Sequence, residues 1–394
     1  MVTVPEKYVA LALALGEHVE GLTFFYGDGL PLRRARFDLL AEADRLLTEL
    51  GEVEPAPRGR WLERQLRALR AVAAGEALAV RDEARVLYGL EPQPWPDREF
   101  AEAHRLLDEA LPGKGDLGSR YRTWLEASSI PGDKVVPVLR AAADVFRERT
   151  GELVGLPDGE DVDIELATGE GWRGFSRYLG RLKSRFSYNR EFALPASEVP
   201  LFVSHEAYPG HHTDNCWKDA LLVRGGGRTE LKIVLAVGVQ PVLVEGTAEV
   251  GTELVEDEAA HRAVAAAVRE VGCDYDADVG FRVAVASRPL SAVSANVALM
   301  YDDGATRDEL LDYVRTWSLQ SEDRVQRTVN GIERSTFRGS VFCYTEGYRL
   351  CSAFVGGDPR RFERLLKDQL TLEDLRPTSN EPAAASGAIR SSWA

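Results

Sequence analysis

The sequence predicts a mainly α fold: a large helical body with a small antiparallel β-sheet just ahead of a histidine-rich helix. Three observations carry this. Apolar residues recur at helical spacing through roughly the first 150 residues and again toward residue 370. One segment between them alternates apolar and polar side chains in strand fashion. Soon after that segment, three of the six histidines fall within eight residues.

Taken in order, Leu62, Leu66, Leu69 and Ala73 share one helical face, and Leu139, Ala142, Val145 and Phe146 share another. Pro55 and Pro57 punctuate one helix boundary, and Pro92, Pro94 and Pro96 a second. Leu156-Pro157-Asp158-Gly159 makes a turn. After it VDIELA (162–167) alternates apolar and acidic residues, a TGEG turn follows, and GFSRYLG and KSRFSYN are both rich in aromatic residues. Helical spacing then resumes, as in Leu310, Leu311, Val314 and Trp317. The organisation expected is an N-terminal helical region (1–155), a region carrying the chemistry and packed on it as one body (156–375), and a small, polar, flexible tail (376–394).

Composition narrows the function. A chain of 394 residues is long enough for a large core, and 44% apolar with 28% charged residues suits a globular protein. Lys and Arg total 48 against 63 Asp and Glu, so the net charge is -15. A body that acidic repels phosphate backbones and anionic lipid, which argues against nucleic-acid and membrane partners. Val9 to Leu15 is apolar, but Lys7 is offset by Glu6 and an acidic segment follows, so a secretory signal is not expected. The apolar run Ile233–Val244 is far short of the ~20 residues of a membrane span. Cys216, Cys273, Cys343 and Cys351 lie far apart with no CxxC, which suits a reducing compartment. The expected address is cytoplasmic; nothing in the sequence bears on oligomeric state.

The chemistry concentrates in SHEAYPGHHTDN, with His205, Glu206, His211 and His212. Neutral imidazoles as ligands, beside a carboxylate that activates water, are the residue types of a zinc hydrolase. On an HExxH helix the second histidine stands at i+4; here that position is Pro209. On a straight helix His211 would point about 240° around the axis from His205, and His212 would lie roughly 10 Å further along. Pro209-Gly210 supplies a break that can bring a downstream histidine back. Spacing alone leaves His211 and His212 both open as the second ligand. Ser197 is a candidate cap for this helix, with Glu198 and Pro200 in its first turn. Leu201-Phe202-Val203 imply that the site is buried. Glu245 follows directly on the apolar run, where a carboxylate needs a cation or donors, and is the candidate third ligand. Glu249 lies one turn further on the same face, and Asp214 is at best an outer partner.

HEAYPGHH followed by LVEGTAEVGTE resembles the bacterial proteins grouped as domain of unknown function 885, which show HExxPGHH and then EGWALYxE. Their fold is related to that of the helical zinc carboxypeptidases of the carboxypeptidase Taq type. The resemblance covers 188–253 and, more weakly, CYTEGYRL (343–350). It implies His205 and His211 as zinc ligands, Glu245 as the third and Glu206 as general base. It also implies Tyr344 as the donor to the oxyanion, with Tyr348 the alternative. Thr247 and Val250 replace the family's aromatics, and Thr252 stands where its second Glu would be.

The function expected is a Zn2+-dependent hydrolase of peptide or amide bonds, carboxypeptidase-like, with a peptide or amide small molecule as substrate. Tyr188-Asn189-Arg190 are candidates to hold substrate backbone along the sheet, and Arg190 or Arg349 to hold a substrate carboxylate. The alternatives are a metal-dependent amidase or esterase on a non-peptide molecule, and a non-catalytic helical binding protein with a vestigial metal site. A di-iron protein ranks low, because paired Glu-x-x-His motifs are missing.

Overall fold

Leu62, Leu66 and Leu69 bury one face of the helix Ala56–Ala74, and Leu139, Ala142 and Phe146 bury one face of the helix Val135–Val154. Leu310, Leu311 and Val314 do the same for Arg307–Ser318. The computed structural model describes residues 3–25, 38–53, 56–169 and 171–376. It is mainly α-helical, as expected, and holds two small sheets where the sequence predicted one. Pro55 and the tail beyond Arg376 lie outside the described residues. Pro96 closes the predicted proline boundary by capping the helix Asp97–Ala110.

Residues from Val4 to Leu375 share one apolar core, so N-terminal helices pack into the same core as those that carry the site. The stretch beginning at Val9 is part of a helix, Val4–Gly16, that buries Tyr8, Leu11 and Leu15 there. All four cysteines are buried and free. Among the described residues one helical stretch, 277–302, has the length and composition to cross a membrane; half of its most apolar window is buried in the protein. A tight turn at Arg288–Ala292 interrupts it.

β1 (Thr23–Phe25) pairs antiparallel with β5 (Ile233–Leu235). β2 (Asp161–Ala167), β3 (Gly174–Gly180) and β4 (Lys183–Asn189) form the second sheet, in the order β2-β4-β3. This sheet is mixed rather than purely antiparallel: β4 runs antiparallel to β3 but parallel to β2. The reason lies in the connections. The two-residue turn at Arg181 and Leu182, with φ of 55° and 64°, folds β4 back against β3, on the side where β2 lies. A second apolar cluster packs this sheet on the helices Val135–Val154 and Val199–Glu206.

The apolar run predicted before Glu245 is used twice. Its start is β5, and after Gly238 it becomes the helix Val239–Val255, the carboxylate helix. This helix lies hard against the helix Val341–Val355, the tyrosine helix, through two glycines. A Cβ on Gly347 would stand 2.5 Å from the Val242 carbonyl oxygen, and one on Gly246 would overlap the Gly347 backbone. Glu245 and Tyr344 therefore face each other across the closest helix contact that side chains allow.

Just past the end of the carboxylate helix, the buried Glu256 accepts hydrogen bonds from His261 Nε2 (2.9 Å) and from Arg288 (2.7 Å). Burial opposes its charge, but His261 and Arg288 outweigh that and hold its pKa down at about 2, against an ordinary 4.5. A depressed carboxylate contributes stability that is present above pH ~4.5 and lost as pH falls toward ~2. Denaturant unfolding of the wild type and Glu256→Gln should therefore give midpoints that differ clearly at pH 6 and converge as pH drops from 5 to 2. A gap that does not change with pH would show that Glu256 is not held ionised by these partners.

Candidate metal centre

The helix Val199–Glu206 begins at Glu198 after a short turn, with Pro200 tolerated at its second position. Ser197, expected as the cap, lies inside that preceding turn; its hydroxyl is buried and has no hydrogen-bond partner among the described residues. The helix ends at Glu206, and a new one, His211–Lys218, begins after four intervening residues. The break has its own hydrogen bonds: Ala207 and Tyr208 both donate to the Val203 carbonyl, and Gly210 to that of Ser204 at 2.9 Å. A Cβ on Gly210 would overlap the His205 carbonyl, so only glycine lets the chain fold this tightly.

One acid clamps the break from outside. Glu160, buried just before β2, accepts from Tyr208 Oη at 2.6 Å and pairs with His212 Nε2 at 2.9 Å and Arg147 at 2.6 Å. Burial opposes its charge, but His212, Tyr208 and Arg147 hold its pKa down at about 2. His212 Nδ1 also bonds Ser184 on β4, at 2.7 Å. His212 is thus a fully buried anchor of the break onto the sheet. Sequence reasoning missed Glu160, since nothing separates it from its acidic neighbours before the fold is known.

With His212 fixed outward, His211 turns inward. His205, His211 and Glu245 come together, with one candidate ligand atom from each lying within 4.8 Å of the others. His205 Nε2 is 3.3 Å and His211 Nε2 3.7 Å from the same Glu245 oxygen, and the two imidazoles meet edge to face at 4.7 Å. The structure thus joins the three residues predicted as ligands and, of the two histidines that spacing left open, brings in His211.

The group fits a metal ion. The Glu245 oxygen that faces both imidazoles is buried and has no hydrogen bond among the described residues. On the far side of its ring, His205 presents Nδ1 to Glu249 at 3.4 Å, the carboxylate–imidazole pairing that orients metal-binding histidines. Burial works against charge on His205, yet Glu245 and Glu249 overrule it and raise its pKa well above the usual histidine value. The surroundings therefore favour positive charge between these carboxylates. Asp214, predicted as an outer partner at best, is buried and bonded to Lys218 at 2.6 Å.

The ligands line a cavity of about 490 Å³. Glu206 lines it too; it is buried, and among the described residues nothing hydrogen-bonds or ion-pairs its carboxylate. Tyr344, 47% exposed, lies over His205 with its ring 6.5 Å away. The negative charge of Glu245, then desolvation and Glu206, hold its phenol well above the usual pKa, so it stays a donor. Tyr348, the alternative, donates instead to Glu253 at 3.0 Å.

Three substrate-binding expectations need correction. Tyr188 and Asn189 sit in the central strand β4 and are buried, so they have no edge to offer. Of this sheet, the strand that lines the cavity is β3, whose outer edge pairs with no strand among the described residues; β1 and β5 line it as well. Arg349 is engaged with Glu346 at 2.9 Å and stacks 4.3 Å over Trp95, and Arg190 does not line the cavity. The cavity's free cation is Arg177 on β3, which has no ion-pair partner among the described residues.

No protein-family model matches the chain, and no curated protein does. Among solved structures the chain is similar to one described as "a putative lipoprotein of unknown function from Shewanella oneidensis". That match has 12% identity, covers 95% of this chain and 72% of the other, and has a TM-score of 0.51. It shows a shared fold. A structure described as "BsuCP" aligns with 10% identity over 93% of this chain and 87% of its own, at a TM-score of 0.39.

Ligand loss separates the two neighbouring histidines. Purified protein should take up about one zinc ion per chain, and His211→Ala should abolish this. His212→Ala should keep the ion but lower the melting temperature. Glu249→Gln should weaken zinc about 10- to 100-fold, as loss of an orienting carboxylate does. Zinc content by elemental analysis decides: an ion lost with His212→Ala and kept with His211→Ala would overturn the arrangement.

Proposed function

We propose that this protein is a zinc-dependent hydrolase of peptide or amide bonds, carboxypeptidase-like, with the ion held by His205, His211 and Glu245. The resemblance of HEAYPGHH and LVEGTAEVGTE to the domain-of-unknown-function-885 proteins supports the same reading. The observation that carries it is Glu206: a buried, unpaired carboxylate in the cavity that the three candidate ligands line.

A bound zinc ion supplies Lewis acidity toward a water and toward a substrate carbonyl. The chain's own residues do the rest. Glu206 accepts the proton of the attacking water and returns it to the departing amine. Tyr344, kept protonated, donates a hydrogen bond to the oxygen that becomes negative as the carbonyl is attacked. The outer edge of β3 offers backbone donors and acceptors to an extended substrate. Arg177 on that strand receives a substrate carboxylate, the anchor that removal of a C-terminal residue requires.

Zinc-loaded protein should cleave a peptide library, and free C-termini should be preferred over blocked ones. Glu206→Gln should keep its zinc while kcat falls by about 10²- to 10⁴-fold. Tyr344→Phe should lower kcat by about 10²-fold with zinc content unchanged. Library cleavage and zinc analysis together check the proposal; turnover that survives Glu206→Gln, or no cleavage by the zinc-loaded wild type, would rule it out.

A further inference from the structure

The cavity beside the candidate metal centre keeps apolar side chains open. Phe24 and Val234 stand directly opposite each other in the β1–β5 pair, so their side chains share one face, and both line the cavity. Phe175 on β3 lines it too and meets Phe24, the ring centroids 5.7 Å apart. Pro241 and Val244 continue the lining onto the carboxylate helix. Phe24 is exposed and the other four are half-buried, so none is sealed in the core. Among the described side chains the exposed aromatic rings are Phe24 and Tyr344, and both line this one cavity. Apolar surface left open and gathered in one place marks a binding site.

The polar groups around this surface leave little for a charged side chain to meet. Asp214 is paired with Lys218 and Asp368 with Arg364. Gln240 is bonded to the β5 backbone, and Gln369 to Arg228 and Glu230. Outside the candidate centre, the charge left over is that of Arg177. Arg177 and Phe175 are two residues apart on β3, so their side chains leave the same face with a spacing of about 7 Å. That spacing matches the reach from the carboxylate to the side chain of a single amino acid. Pro241 lies one helical turn before Glu245, about 6 Å along the axis, so the apolar surface begins beside a candidate ligand. A residue whose carboxylate meets Arg177 therefore lays its side chain on Phe175 and Phe24, next to the centre.

We infer that this cavity selects a bulky apolar side chain, aromatic above all, on the C-terminal residue of the substrate. The inference rests on the carboxypeptidase-like reading for its terms "substrate" and "C-terminal", but the binding it asserts is measurable without turnover. The probes are Nα-acetyl-alanyl-phenylalanine, Nα-acetyl-alanyl-lysine and Nα-acetyl-alanyl-alanine, each with a free carboxylate, titrated calorimetrically into zinc-loaded Glu206→Gln protein. The phenylalanine peptide should bind at least about tenfold more tightly than the alanine peptide, as burial of an aromatic side chain gives. The lysine peptide should bind no more tightly than the alanine peptide. Phe24→Ala, at an exposed position that the core does not need, should remove most of the preference for phenylalanine, and Val234→Asp should shift it toward lysine. Equal affinity for the phenylalanine and alanine peptides, tightest binding of lysine, no binding of any probe, or a preference untouched by both substitutions would overturn the inference. Failure of the zinc-loaded wild type to cleave any of the three peptides would instead sink the hydrolase reading and leave the binding result standing.

Discussion

The backbone contact between Gly210 and the last turn of the helix Val199–Glu206 is the constraint on which the centre depends. Two histidines six residues apart on an unbroken helix face different directions. Here the helix stops at Glu206, the chain turns within four residues, and Gly210 lies so close to the His205 carbonyl that no side chain fits. Pro209 packs on the carboxylate helix from the other side, where a Cβ on Gly251 would stand 2.9 Å from its ring. The same turn therefore returns an imidazole to the site and sets how far off the helix carrying Glu245 must lie.

A tight turn of this kind needs fixing from outside, because its own hydrogen bonds are few. Glu160 does this by gripping Tyr208 and His212, the residues that flank Pro209, Gly210 and His211. Being ionised and hydrogen-bonded on both oxygens, it holds a buried charge without leaving it unpaired. The paired histidines thus divide two tasks that one residue could not perform: His212 ties the turn to β4, and His211 faces the ion site.

Much of this was legible in the sequence, and the residues show where legibility stops. Periodicity located the helices, because Leu62, Leu66 and Leu69 are buried for the same reason that they are spaced. The Pro-Gly step announced a break and so a shared site. The choice between His211 and His212 was not legible, since it turns on Glu160, some fifty residues away in sequence and unmarked there. Strand composition announced a sheet, but composition does not mark the order of strands, and β4 lies in the middle with β3 at the edge. Ser197 read as a cap because caps and unsatisfied hydroxyls look alike until their partners are known. Arg177 was indistinguishable from the chain's many other arginines until β3 was seen to line the cavity.

Placing Glu245, Glu249 and Glu253 on one helix fixes a ruler across the site. With 1.5 Å of rise per residue, Glu249 stands about 6 Å and Glu253 about 12 Å along the axis from the ligand Glu245. The glycine contact with the tyrosine helix holds that ruler against Tyr344 and Thr345, so neither helix can slide without breaking a backbone fit. Glu245, Glu249 and Glu253 thus follow one another at one-turn intervals, the first beside His205 and His211, the second beside His205 Nδ1 and the third beside Tyr348. The spacing of acids at the candidate metal centre is therefore fixed by one helix, and that helix is fixed by its glycine contact with the next.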